Sequence, residues 1–184
     1  MDNNEPNNPH DTTFKAFFSN KEIVISFIEE NLPPLLVKEL DLGSLIIQKD
    51  SFIDKELTEH FSDILYMAKY RDSHSFIYFL LEHKSYNDNR TGFQLLRNMV
   101  KIWELHLKQN PNAMELPVIT PVVIHHGEKQ WSCKNNFMEL FDQSEVTSKY
   151  IPQFQYELYD LTVTPDENIK GILPLKIQMF LHKY

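Results

Sequence analysis

The chain has one cysteine, Cys133, and only four glycines in 184 residues. A lone thiol excludes an internal disulfide framework. With so little glycine there is no phosphate-cradling loop of the G-x-x-x-x-G-K type, which counts against an ATPase. Ser62 and Ser85 lack the glycine-rich elbow of a serine nucleophile, and Cys133, in WSCKNN, has no evident base partner. No apolar run is long enough to span a bilayer, and the opening MDNNEPNNPH lacks the basic and apolar regions of a secretory signal. A reducing, cytoplasmic setting without a membrane partner is the expectation. Positive charge is scarce too: 18 Lys plus Arg against 26 Asp plus Glu give a formal net charge of −8. That balance disfavours a broad nucleic-acid-binding surface, so such a function must rest on a local basic patch or a bound metal.

What is present is ample core material. A hydrophobic content of 42% with 12% aromatics suits one well-buried domain. Residues 1–9 are Asn-rich and read as a disordered lead, and residues 10–184 as a single domain with its core in about 10–130. Asp11 or Thr12 is a candidate N-cap for a first helix carrying Phe14, Phe17 and Phe18, and Ser19 to Glu22 matches a capping box opening a second, which Pro33-Pro34 ends. Strand patterns follow over Leu45–Ile53, Phe61–Tyr70 and His74–His83, the last two separated by Arg71-Asp72-Ser73 as in a hairpin. Thr91–Lys108 predicts a helix and Val118–His125 a strand with Pro121 restricting its pairing. Further on, Asn135–Phe141 reads as helical, Gln155–Leu161 as extended and Ile172–His182 as helical, with no terminator. The chain is therefore expected to be the N-terminal part of something longer. The order αβββαβ predicts an α/β fold, a mixed sheet flanked by helices.

The chemistry gathers at the end of the third strand. The run Phe76–Leu81 passes directly into Glu82-His83-Lys84. A hairpin turning about Asp72 and Ser73 sets Asp63 opposite Glu82, and like charges so placed are destabilising unless something compensates, as a divalent cation would. Alternation puts Glu82 and Lys84 on one face, so Asp63, Glu82 and Lys84 converge; a one-residue slip sends Asp63 to the other face. On the following helix Phe93, Leu96, Val100, Trp103 and Leu107 read as the core stripe. Arg90, Gln94, Arg97, Lys101 and Lys108 form a second stripe, either a solvated face or one that contacts phosphates, with Gln94 and Arg97 nearest the strand end. His125 and His126, adjacent on a strand, point to opposite faces and do not read as a metal pair.

Asp63 in FSDILY, followed after eighteen residues by Glu82-x-Lys84 in LLEHKS, resembles the PD-(D/E)XK nuclease superfamily. More closely, NPHDTTFKAFFSN, SFIDKELTEHFSDILYMAK, IYFLLEHKS and FQLLRNMVKIWELH, in that order, resemble the Rpn family of recombination-promoting nucleases, also described as transposase-like. The resemblance implies a PD-(D/E)XK nuclease-like fold and metal-dependent endonucleolytic hydrolysis of DNA. It implies Asp63, Glu82 and the His83 carbonyl as oxygen ligands of Mg2+, or of Mn2+ or Ca2+, with Lys84 orienting the attacking water or offsetting charge on phosphorus. Gln94 resembles a glutamine some superfamily members place on this helix, although Asn98 stands where those members often carry tyrosine. Arg90, Arg97 and Lys101 are the expected DNA-contacting cations. Asp11 falls in the family's HD-x-x-FK opening and is either a further ligand or a helix cap. A homodimer is expected, since cutting both strands commonly uses two active sites. The rival reading is a catalytically inactive relative that uses the fold to bind DNA or a protein partner in a regulatory role.

Overall fold

The computed structural model describes residues 9–48, 64–71, 75–142, 144 and 146–184, with backbone alone for 9–12 and 75–83. Three helices open the described chain: α1 (Pro9–Phe18), α2 (Lys21–Asn31) and the short α3 (Pro34–Val37). Three strands follow, β1 (Leu40–Ile47), β2 (Ile64–Tyr70) and β3 (Ser75–Lys84), then the long helix α4 (Thr91–Gln109), β4 (Val118–His125), β5 (Glu157–Asp160) and α5 (Leu173–Lys183).

The strands form one mixed sheet in the order β1-β2-β3-β4-β5. β1 and β3 flank β2 antiparallel, whereas β3, β4 and β5 run parallel. α4 connects β3 to β4, as a parallel pair requires a crossover. The fold is thus mixed α/β, with the expected sequence of helices, three strands, helix and strand, and β3 in the centre as predicted.

Alternation along the strands divides the core in two. Ile64, Tyr66 and Ala68 of β2 and Val122 and Ile124 of β4 pack with Phe14, Phe18, Phe27, Ile28, Leu175 and Met179 of α1, α2 and α5. Leu65 of β2 and Ile119 and Val123 of β4 face the other way, onto Leu95, Met99 and Ile102 of α4 together with Trp131 and Tyr156. The sheet is therefore covered on both faces.

Several local expectations shift. β1 begins at Leu40, five residues before the predicted start, while residues 49–53 lie outside the described part. Apolar alternation missed this start because the register breaks between Asp41 and Ile46. There the Ser44 hydroxyl donates to the Asp41 carbonyl and accepts from the Lys69 N–H. The cap of α2 is Asn20, whose side chain accepts from the Glu22 N–H; the Ser19 hydroxyl instead donates to the Lys15 carbonyl and finishes α1. α1 starts at Pro9, so Asp11 lies inside its first turn rather than capping it. Asn135–Phe141 contains only a short 3-10 turn, Phe137–Leu140. Pro121 lies within β4, opposite Leu80, but β5 pairs only from Val122 onward, so its neighbour strand at that level is β3.

The predicted stripe of α4 is corrected. Thr91, Gly92, Leu95, Asn98, Met99 and Ile102 are the buried residues, whereas Phe93, Val100 and Leu107 are 58%, 41% and 43% exposed. Both sets recur at helical spacing. The sheet takes the set that carries Leu95, Met99 and Ile102, and Thr91 at its start is held locally, its hydroxyl donating to the Asp88 carbonyl.

Candidate functional site

The hairpin register matches the sequence-based expectation. β2 pairs with β3 from Tyr70 opposite Ser75 to Ile64 opposite Leu81, so Glu82 follows the last paired residue of β3. Asp63 immediately precedes Ile64 and lies outside the described residues. Glu82, His83 and Lys84 close β3 opposite Val123, Ile124 and His125 of β4. Their backbone is placed; among the three, the described side chain is that of Lys84.

Lys84 is only 7% exposed, which is uncommon for an ammonium. Its Nζ donates to Gln94 Oε1 at 2.8 Å, and Gln94 Nε2 donates to Asp88 Oδ2 at 2.9 Å. Asp88 Oδ1 in turn accepts the Arg90 N–H at 2.8 Å, where the chain enters α4. Gln94 is thereby fixed in one orientation, because a flip would aim its NH2 at the ammonium and its oxygen at the carboxylate. An ammonium carries three donors, and this chain of contacts sets the direction of one of them.

The main chain beneath Lys84 is held as firmly. Its carbonyl accepts the His126 N–H at 3.0 Å and lies 3.1 Å from Nδ1 of fully buried His125, whose Nε2 lies 2.8 Å from the Lys129 carbonyl. The His125 ring meets Trp131 edge-on, with centroids 5.0 Å apart. Gly127 is required here: a Cβ on it would sit 2.5 Å from the Ser85 carbonyl oxygen and 2.6 Å from His125 Cε1. A cavity of about 700 Å³ opens beside these strand ends, lined by Ser85, Asn87, His126, Lys129 and His182 among others.

Of the remaining sequence candidates, Arg90 sits at the N-cap of α4 and Arg97 and Lys101 on its second and third turns, with both arginines exposed. They share a stripe with Gln94, as expected. Asp11 is placed on α1 by its backbone, away from the β3 end in sequence. Asp88 was not anticipated. Its signal is local: an Asp in a loop accepts the main-chain N–H two residues on, as Asp88 does from Arg90. Burial pushes the Cys133 thiol above its ordinary value, with a main-chain hydrogen bond from Asp88 opposing this and the Asp88 charge adding to it, which disfavours the thiolate.

The family described as "Putative transposase, YhgA-like" matches residues 8–184. The chain is 31% identical over 172 residues to the recombination-promoting nuclease RpnD of Escherichia coli O157:H7, covering 92% of this chain and 65% of that protein. It is 29% identical to the inactive recombination-promoting nuclease-like protein RpnE of Escherichia coli K12, over 92% of this chain and 56% of that protein. With the recombination-promoting nuclease RpnC of the same strain it shares 27% identity over 96% of this chain and 58% of the relative. The chain thus spans between 56% and 65% of the length of these relatives. No solved structure matches it. With the match running from residue 8 to residue 184, the chain belongs to the YhgA-like transposase family.

Proposed function

We propose that this chain hydrolyses phosphodiester bonds in DNA as a metal-dependent endonuclease of the recombination-promoting kind, on a PD-(D/E)XK arrangement. The observation that carries the reading is the Lys84 ammonium, buried at the end of β3 and directed by Gln94 at 2.8 Å. A buried cation is expensive to keep, and its position two residues after Glu82 matches the E-x-K spacing that the resemblance implies.

The register supports the rest. An antiparallel ladder continued by one residue beyond Ile64 and Leu81 would oppose Asp63 to Glu82, and Glu82 shares the parity of Lys84 on β3. Two carboxylates and the His83 carbonyl are a hard, all-oxygen donor set of the kind Mg2+, Mn2+ or Ca2+ takes. When bound, such an ion supplies polarisation of the phosphate and acidification of a water. Asp63 and Glu82 would hold the cation. Lys84 orients the attacking water or meets the negative charge growing on the phosphate, and Gln94 and Asp88 keep its Nζ in place. Water oxygen forms the new P–O bond, the bond to the departing strand breaks, and a proton from the water ends on the departing oxygen. Arg90, Arg97 and Lys101 contact backbone phosphates along one stripe of α4.

A second reading has its own support: one relative at 29% identity carries the description inactive, and the formal charge of −8 disfavours broad DNA contact. In that reading the chain binds DNA or a protein partner without cutting. Incubation of supercoiled plasmid with Mg2+, with EDTA, and with an Asp63→Ala protein prepared in the same way separates the two. Nicking or linearisation that needs both the metal and Asp63 is the expected result. Absence of cleavage with Mg2+, Mn2+ and Ca2+ would refute the nuclease reading for this chain.

A further inference from the structure

The helix α4 carries three stripes. One packs on the sheet, one holds Gln94 and the cations, and the third consists of Phe93, Leu96, Val100, Trp103 and Leu107, spaced by three, four, three and four residues. That spacing is the a/d pattern of a helix built to pack against another helix. Phe93, Val100 and Leu107 are 58%, 41% and 43% exposed, and Leu96 and Trp103 are partly covered. At 100° per residue this stripe centres on the order of 130° from the buried one, so a partner helix laid on it stands clear of the sheet.

We propose that a second copy of this chain occupies the stripe, with the two α4 helices antiparallel about a two-fold axis near Val100. The charges beside the stripe select this arrangement. Arg97 and Glu104 both follow d positions, where an antiparallel pair of identical helices sets Arg97 of one copy beside Glu104 of the other, twice over. A parallel pair would instead set Arg97 beside Gly92 and Glu104 beside Met99, which offer no complement. The apolar surface continues at both ends. Leu140, 37% exposed, lies alongside the start of α4, 3.1 Å from where a Cβ on Gly92 would be, and Phe141 beside it is 44% exposed. At the other end Trp103 Nε1 donates to the Pro117 carbonyl, which brings Leu116 and Val118, 49% and 55% exposed, beside the stripe. Antiparallel packing sets the first end of one copy against the second end of the other. This lengthens the contact toward the area a stable dimer needs. None of the residues of this contact belongs to the metal or lysine site, while Arg97 alone is shared with the proposed phosphate contacts.

Sedimentation equilibrium on the full chain tests it. The wild-type protein is expected to be dimeric at micromolar concentration. Arg97→Glu and Glu104→Arg are each expected to weaken association about tenfold, because two symmetric attractions become two repulsions, while the double swap restores it. Val100→Asp is expected to give a monomer with an unchanged far-ultraviolet circular dichroism spectrum. A wild-type chain that stays monomeric above the micromolar range overturns the proposal, as does a dimer on which the swaps leave no mark. Should Val100→Asp fail to fold, the two exposed charge swaps still decide, because neither residue is buried.

Discussion

Replacing Lys84 by Met and Gln94 by Leu, singly and together, separates a lysine kept for chemistry from one kept for stability. Gln94→Leu leaves the buried Lys84 ammonium without the acceptor at 2.8 Å and Asp88 Oδ2 without its donor at 2.9 Å. Losing one partner of a buried charged hydrogen bond costs about 1–3 kcal/mol, and a chain of this length loses about 2–4 °C in Tm for each kcal/mol. A fall of roughly 2–12 °C is expected for Gln94→Leu. Lys84→Met removes the charge itself and fills the space with an apolar chain of similar length. The relief of a buried charge and the loss of the donor to Gln94 Oε1 oppose each other, so a net change of about 1 kcal/mol or less is expected. In the double variant Gln94 is no longer needed by an ammonium, so its loss costs less than in the single one, with a coupling of about 1 kcal/mol or more.

Thermal unfolding and plasmid cleavage are read on the same four proteins. The expected pattern is opposed: Lys84→Met near wild type in Tm and devoid of cleavage, Gln94→Leu lower in Tm with cleavage reduced but present. If Lys84→Met is destabilised as much as Gln94→Leu, the buried lysine is a structural group and the argument from its burial to catalysis fails.

Gly127→Ala is expected to cost about 2 kcal/mol, seen as a fall in Tm, because its Cβ would meet the Ser85 carbonyl oxygen at 2.5 Å and His125 Cε1 at 2.6 Å; an unchanged Tm would mean that the strand-end loop is looser than these contacts require. Burial pushes the phenols of Tyr66 and Tyr156 from the ordinary 10.0 up to about 12. The unfolded chain therefore gives up these protons first. The associated stability is intact below pH 10 and is lost as the pH rises from 10 towards 12, which denaturant titrations across that range would show as a falling midpoint. Tyr66→Phe, which leaves the Phe18 carbonyl without its donor at 2.8 Å, is expected to lower stability by about 1–3 kcal/mol and to remove its share of that alkaline loss.

The strand pairing at the heart of the site was legible in the sequence because two constraints agreed there. The apolar run ended before Glu82, the turn residues lay at 71–73, and together they allowed the register that runs from Tyr70 opposite Ser75 to Ile64 opposite Leu81. Lys84 and Gln94 were legible for the same reason, as a strand end followed by a helix start. Asp88 was not, since its role depends on how the loop after β3 folds back to present Oδ2 to Gln94, and no periodicity reports a loop path. The buried stripe of α4 was misread for a different cause. Periodicity finds every apolar stripe on a helix without saying which one the sheet covers. Here the larger side chains, Phe93 and Leu107 among them, belong to the outer one. Likewise the start of β1 was hidden by Asp41 and Ser44, polar residues whose side chains bond to the main chain at the register break.

On the proposed reading, an acidic chain would hold DNA through the few cations of the α4 stripe. Arg90 and Arg97 are exposed on the stripe that also carries Gln94, and Lys101 follows one turn later. Each phosphate neutralised contributes about −0.9 to the slope of log affinity against log salt concentration. Three contacts per chain predict a slope of about −2.7, whereas a dimer that commits both copies of Arg97 to Glu104 retains four contacts, with a slope of about −3.6. The double swap of Arg97 and Glu104 distinguishes these: DNA affinity is unchanged if Arg97 belongs to the contact between copies, and falls if it touches phosphate. Fluorescence anisotropy with a labelled duplex in Ca2+ across a salt series supplies both readings. A slope near zero would remove the basic stripe from the account. The acidic balance would then favour the reading in which this chain recognises a protein partner rather than DNA.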